Sequence, residues 1–379
     1  MKPSSQQRDG GIDLIRGLAI AVMMIDHLPA NPWQRLTYQP LGFFTAALVF
    51  VFLSGYVGAW RLTLRADRSS WMTARKGLCR RIVMLMAAHH GIATALALAA
   101  IILGRSYTTE IQTILPRYAA SPLGAWALEM IFVNQTVYLD ILTLYIVLLP
   151  VLILAVRSFR RGRTLPVLAA SAAAWFAVQI DLLPDVLERA NRFSTNNVLA
   201  WQFLFVIAAW LGYRRARGLR FAFTSHPAWR IASVASFAAI FVIRHFAVRV
   251  AEVSAGAEEA PGYCTHVLNW IPLGSFLVAV TAYGAIPAVW KQIAAQRASL
   301  VVTMGQHSLG LFLAHFALCY GIWFGYAGLD GGELGRLDFY LIPVLTLGFL
   351  VMLGQALAIR QRSRKMSPVS VAVVSEQTT

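Results

Sequence analysis

Charged residues are scarce: Asp, Glu, Lys and Arg make up 13% of the 379 residues, against roughly 25% in water-soluble domains. Acids are the scarcer sign, 17 against 33 Lys and Arg. Cysteine is nearly missing. Cys79, Cys264 and Cys319 lie far apart with no Cys-x-x-Cys or zinc-type spacing, which excludes a disulfide scaffold and a structural metal module. There is no Walker or Gly-x-Gly-x-x-Gly phosphate loop, no low-complexity tract and no convincing internal repeat. What the chain has is apolar surface: 58% hydrophobic residues and a mean hydropathy of +0.61. A water-soluble fold is therefore excluded. The net charge of +16 points to nucleic acid only if it covers a surface, so its location along the chain decides its meaning.

A membrane helix needs about 20 mostly apolar residues. Ten stretches qualify: approximately 12–30, 41–60, 82–104, 137–156, 165–181, 198–213, 231–247, 267–290, 300–322 and 338–359. Residues 125–136 either extend the fourth stretch or form an interfacial helix. The first stretch carries Asp13, Arg16, Asp26 and His27 and lacks a small-residue cleavage site, so it reads as a retained span rather than a cleaved signal. With the N-terminus inside, the inner segments (the N-terminus, 61–81, 157–164, 214–230, 291–299 and the tail from 360) hold 24 of the 33 basic residues and three acids. The outer loops hold seven basic residues and eleven acids. The positive charge is thus a topology signal, and nucleic-acid binding loses its support. The expected fold is all-α: a polytopic membrane protein of about ten transmembrane helices, N-in and C-in, in a bacterial inner membrane. Residues 1–365 read as one integral-membrane domain and 366–379 as a short disordered cytoplasmic tail.

Ionisable groups inside a span are expensive, so each is a functional hypothesis. Arg16 and His27 are eleven residues apart, which separates them by about 20° around a helix and about 16 Å along it. They share one face at two depths, Arg16 at the inner interface and His27 in the outer half. The plain alternatives are an Arg16 that snorkels to the cytosol and a His27 satisfied by an interhelical hydrogen bond. Asp26 points about 100° away from His27 and is given a structural role; Asp13 has no assigned role.

The string Asp13-Leu14-Ile15-Arg16-Gly17-Leu18-Ala19 through His27-Leu28 resembles the Arg-x10-His signature of the membrane acyltransferase-3 superfamily, and specifically its OpgC branch. Phe52-Leu53-Ser54-Gly55-Tyr56 is similar to the family's Ser-Gly-aromatic motif. Arg80-Arg81 with His89 resembles its basic-then-His pattern, although Met86 stands where the family has an aromatic. Tyr138-Leu139-Asp140-Ile141-Leu142-Thr143-Leu144-Tyr145 is close to the family's Tyr-Leu-Asp-Ile-Leu-Pro-Leu-Tyr, with Thr143 in place of proline. Trp201-Gln202-Phe203, Gly305-Gln306-His307-Ser308-Leu309 and His315 complete a resemblance that runs in order over residues 11–320. It implies transfer of an acyl group from a cytoplasmic acyl-CoA to a carbohydrate hydroxyl on the far side of the membrane. In this branch the implied group is succinyl, with succinyl-CoA as co-substrate, and the implied acceptor is a periplasmic glucan. No tightly bound cofactor and no metal are expected.

The residues fit such chemistry. A sugar hydroxyl is a poor nucleophile near neutral pH, and a base titrating near 7 is naturally a histidine, here His27. Asp140 is expected to orient it or to accept a sugar hydroxyl, and His315 to act as a second base or an oxyanion donor. His307, earlier on the ninth stretch, is expected to cap or hydrogen-bond near the inner end. Donor phosphates need cations. Among the basic inner residues Arg61, Arg65, Arg75, Lys76, Arg80 and Arg81, the last two are placed with Arg16, Ser54, Tyr56 and His89 on the donor; ordinary positive-inside bias explains the others. Asn197, Trp201 and Gln202 are expected at the sugar, unless they belong to an interfacial aromatic belt. Two other classes compete: a secondary transporter of a small anionic solute, which would show repeat symmetry and broken helices, and a scaffold, for which buried His and Asp would be superfluous.

Overall fold

The computed structural model describes residues 9–28, 31–37, 41–103, 115–133, 136, 138–182, 197–219, 226–248, 268–327 and 336–365, and among them every regular element is a helix. First come α1 (Gly10–His27), the single turn α2 (Gln34–Thr37), α3 (Ala46–Arg68) and the long α4 (Trp71–Leu103). Two short helices, α5 (Pro116–Ala120) and α6 (Pro122–Met130), precede α7 (Asp140–Arg160), α8 (Thr164–Gln179) and α9 (Val198–Ala216). Next, α10 (Pro227–Val242) runs into a π-helical turn at Ile243–Val248. The chain continues through α11 (Trp270–Ala285), α12 (Ala288–Arg297), α13 (Ser299–Gln306), α14 (Ser308–Ala327) and α15 (Arg336–Lys365).

Among the described residues, six segments are long and apolar enough to cross a membrane: Ala46–Arg68, Trp71–Leu103, Asp140–Arg160, Pro227–Phe246, Ser308–Gly325 and Tyr340–Ser363. A seventh results if α11 and α12, bent by 96°, make one span. The sequence led to an expectation of about ten. Each of the ten stretches contains a helix among the described residues, so the difference lies in length and charge. The 16 residues of α8 rise about 24 Å, short of the roughly 30 Å hydrocarbon core. The last turn of α9 carries Arg214 and Arg215, and α1 carries Asp13, Arg16 and Asp26. The bend between α11 and α12 falls at Pro287, the residue before α12, where proline disfavours helical geometry at its predecessor. The protein is a multi-pass, all-helical membrane protein. The expected tail, 366–379, lies outside the described residues.

The chain forms two compact units, one of Met1–Tyr38, Pro287–Trp323 and Glu333–Thr379, the other of Gln39–Ile286 and Phe324–Gly332. In the first, α1 begins under the Asp9 carboxylate, whose Oδ1 accepts from the amides of Gly11 and Ile12 at 3.1 and 3.2 Å and so satisfies two of the donors that a helix start leaves unmet. The helix then packs on α13 through glycines. A Cβ on Gly17 would overlap the Val301 carbonyl, and one on Gly305 would overlap the Asp13 carbonyl. Two backbones meet here without side chains between them, the close-approach mode that small residues permit in membranes.

The second unit is built on the same device. A Cβ on Gly212 of α9 would overlap the Tyr56 carbonyl of α3, and one on Gly55 would come within 2.8 Å of the Phe205 carbonyl. Around this crossing the side chains of Leu48, Leu142, Leu148, Leu152, Leu204 and Phe205 are wholly buried. The 125–136 region does not extend α7. Pro122 and the Ser121 hydroxyl start α6, and Phe132, at φ +61°, follows its end. The short helix lies along α4, with Trp126 Nε1 donating to Thr94 Oγ1 at 3.0 Å and the Tyr118 hydroxyl of α5 donating to the Ala93 carbonyl at 3.4 Å.

Candidate functional site

In the first unit, α1 presents Arg16 and His27 on one helix, as their spacing requires. Arg16 is buried beside the Gly17 crossing, whereas His27, the last residue of α1, is only partly covered. The C-terminal turn of α1 leaves carbonyls unmet, and side chains meet them. Asn31 Nδ2 donates to the Ile25 and Leu28 carbonyls, both at 2.9 Å, and Trp323 Nε1 of α14 donates to the His27 carbonyl at 3.2 Å. Asp26 turns aside to accept from the Thr37 hydroxyl at 2.5 Å, in keeping with its structural reading.

The same unit brings His315 of α14 to His27. His27 Nδ1 and His315 Nε2 are 3.2 Å apart, with ring centroids separated by 5.3 Å and planes 23° apart. His315 is fully buried. Phe316 and Phe312 lie against its ring, at centroid distances of 4.1 and 5.2 Å, and its Nδ1 is 2.5 Å from the Phe312 carbonyl one turn earlier. His307 is the break between α13 and α14, its amide bonded to the Thr303 and Met304 carbonyls.

The remaining expected residues lie in the second unit. Asp140 opens α7, where its Oδ1 accepts from the Ile141 amide at 2.8 Å. Ser54 is buried with no hydrogen-bond partner for its hydroxyl among the described residues. Tyr56 accepts from Arg215 Nη1 at 3.2 Å, and the Arg215 guanidinium lies 4.0 Å over the Trp60 ring. Arg80 is exposed, Arg81 half-buried. Asn197 caps α9, its Oδ1 accepting from the Ala200 amide at 3.0 Å. Trp201 is a core residue, and Gln202 Nε2 donates to the Ser171 carbonyl at 2.8 Å while its Oε1 accepts from the Ser171 hydroxyl at 2.6 Å. In the protein by itself, these three hold α9 in place.

His89 has an unforeseen neighbour. Its Nε2 donates to the Glu129 carbonyl at 3.3 Å and stands 3.6 Å from that residue's carboxylate, with both side chains fully buried. The carboxylate also accepts from the Thr136 hydroxyl at 2.8 Å. Next along α4, His90 Nε2 donates to the Met130 carbonyl at 3.2 Å. Consecutive histidines therefore cap consecutive carbonyls at the end of α6, satisfying backbone groups for which the bilayer offers no water. In the sequence, the signal for Glu129 is a lone carboxylate inside an apolar stretch. Among the described residues, no group of three or more His, Cys, Asp or Glu is gathered closely enough to hold a metal ion.

The arrangement offers one partly accessible imidazole backed by a buried one, with an arginine about 16 Å away on the same helix. The model of the OpgC protein family matches the chain over residues 8–364. No curated protein and no solved structure matches it.

Proposed function

The chain belongs to the OpgC family, and on that premise we propose that it moves an acyl group from a cytoplasmic acyl-CoA to a hydroxyl of a periplasmic glucan, as an inner-membrane enzyme with both termini inside. Membership by itself carries acyltransferase-type activity in glucan modification, and the apolar helices carry the multi-pass architecture. Donor, acceptor, direction and residue roles are the proposal. The observation that supports it most is the 3.2 Å contact of His27 with His315, on the helix that also bears Arg16.

In this reaction His27 removes the proton from the sugar hydroxyl as its oxygen bonds to the thioester carbonyl carbon. The tetrahedral intermediate collapses, the C–S bond breaks, and the leaving thiolate takes the proton from His27. Products are the sugar ester and free coenzyme A. Arg16 meets the donor's anionic end. Succinyl is the acyl group this reading favours. An orienting carboxylate would need the Nδ1 edge of His27, which His315 already engages. Of the two roles expected for Asp140, binding a sugar hydroxyl is therefore the one retained.

Purified protein in nanodiscs, given succinyl-CoA and glucan, is expected to yield succinylated glucan by mass spectrometry. Uptake of a labelled anion into proteoliposomes, with no acylated product, would return the protein to the transporter class. Two variants separate the substrates. Arg16→Ala should raise the donor KM about tenfold or more, as loss of a charged hydrogen bond predicts, with little change in the acceptor KM; the reverse pattern would exchange the two substrate positions. Asp140→Asn should raise the acceptor KM several-fold and leave kcat within about threefold, because it weakens binding shared by ground and transition states. A fall in kcat at constant KM would restore Asp140 as the orienter.

A further inference from the structure

The tautomers of the two imidazoles follow from their partners. A carbonyl oxygen only accepts, so the His315 nitrogen 2.5 Å from the Phe312 oxygen, Nδ1, carries a proton. His315 is fully buried, and a charge there costs far more than a neutral ring. A neutral imidazole has one N–H, so the lone pair of His315 is on Nε2. That lone pair faces His27 Nδ1 at 3.2 Å; two lone pairs would repel, so His27 Nδ1 is the donor. The hydrogen bonds all run one way, from His27 Nδ1–H to His315 Nε2 and from His315 Nδ1–H to the Phe312 carbonyl. His27 is left with its own lone pair on Nε2, the nitrogen opposite the buried contact.

We infer that His315 is the positioning residue for His27: it holds His27 in the Nδ1–H form and presents Nε2 to the sugar hydroxyl. This deepens the acyl-transfer reading and rests on it for its role in turnover. Both nitrogens of His315 are engaged, one by a main-chain oxygen and one by His27, which replaces the expectation of a second base or an oxyanion donor. When His27 accepts the hydroxyl proton at Nε2, its Nδ1–H bond to His315 strengthens. The proton in that bond can move to His315 Nε2, so the charge spreads over two rings. In the familiar hydrolase triads a carboxylate fixes the imidazole's tautomer and stabilises its charge without taking the proton. Here a neutral base stands in that place, which avoids an unpaired anion in the membrane. Burial divides the labour: His27, partly accessible, reaches substrate, and His315, fully covered, does not.

Solid-state NMR of the full chain in lipid nanodiscs, with ring-15N histidine, tests the assignment without donor or glucan. Signals of His27 and His315 are identified from His27→Gln and His315→Gln spectra. Both rings in the unmodified protein are expected to carry the proton on Nδ1, the minority form of histidine in water. His315→Phe should turn His27 to the Nε2–H form and lower kcat by about 100- to 1,000-fold, the lower part of the range of general-base contributions, with both KM values held within about threefold. His315→Gln, whose amide oxygen can still accept from Nδ1–H, should recover part of kcat. A proton on Nε2 of His27 in the unmodified protein overturns the inference, as does a His315→Phe variant with unchanged tautomer and kcat. The expected tautomers in a protein that transfers no acyl group would support the relay and overturn the enzymatic reading instead.

Discussion

Replacing His27 with alanine is expected to lower kcat by at least about 1,000-fold, toward the upper end of what a positioned general base contributes, while the protein still inserts and folds. The two halves of that expectation have different physical origins. The rate falls because no other group on α1 presents a lone pair at that position. The fold persists because His27 sits at the partly covered end of α1, and the bond from Trp323 goes to its main-chain carbonyl, which alanine keeps. Initial rates of labelled succinyl transfer, read beside a fluorescence-detected size-exclusion profile, separate the two. A monodisperse variant with more than a tenth of the parental kcat would remove His27 from the chemistry.

The second large effect is on folding. In Gly305→Ala a methyl group would overlap the Asp13 carbonyl of α1. Backbone cannot step aside as a side chain does, so the usual overpacking cost of about 1–3 kcal/mol is a lower bound here. The folded fraction recovered from the membrane should drop severalfold, and the melting temperature of what remains should fall by several degrees. Gly17→Ala strikes the Val301 carbonyl across the same crossing, so the two should be far from additive. Gly321→Ala, on α14 with nothing among the described residues within 4 Å of the new methyl group, is the control: alanine is the better helix former by about 1 kcal/mol, and stability should hold or rise. Equal losses for all three would mean that the α1–α13 contact is not what the glycines serve.

The sequence discloses periodic features well and partnerships poorly. Every apolar stretch contains a helix among the described residues, and the eleven-residue spacing of Arg16 and His27 puts both on one element, because helix geometry is local. Which stretches are long enough to cross depends on where Arg214, Arg215, Pro287 and the polar residues of α1 fall, and a running hydropathy average blurs those positions. Side-chain roles depend on neighbours far along the chain. Nothing in the sequence discloses that Trp201 is buried in the core or that Ser171 meets both ends of the Gln202 amide. His315 could be marked as important, but its function turns on which ring nitrogen meets a main-chain oxygen, a rotamer property no spacing encodes.

Neighbouring side chains on a helix leave its axis about 100° apart, so the grip of His89 and His90 on successive carbonyls of α6 works as a key in a keyway. Two bonds made from neighbouring azimuths resist rotation of α4 about its axis more than either would alone. The long shaft of α4 is therefore indexed against rotation from a point well along its length. Arg81 sits eight residues earlier on that shaft, about 12 Å toward its N-terminal end, and its azimuth is set by a clamp it never touches. A one-residue deletion between Arg81 and His89 would leave the clamp intact and swing the arginine pair about 100° off its bearing.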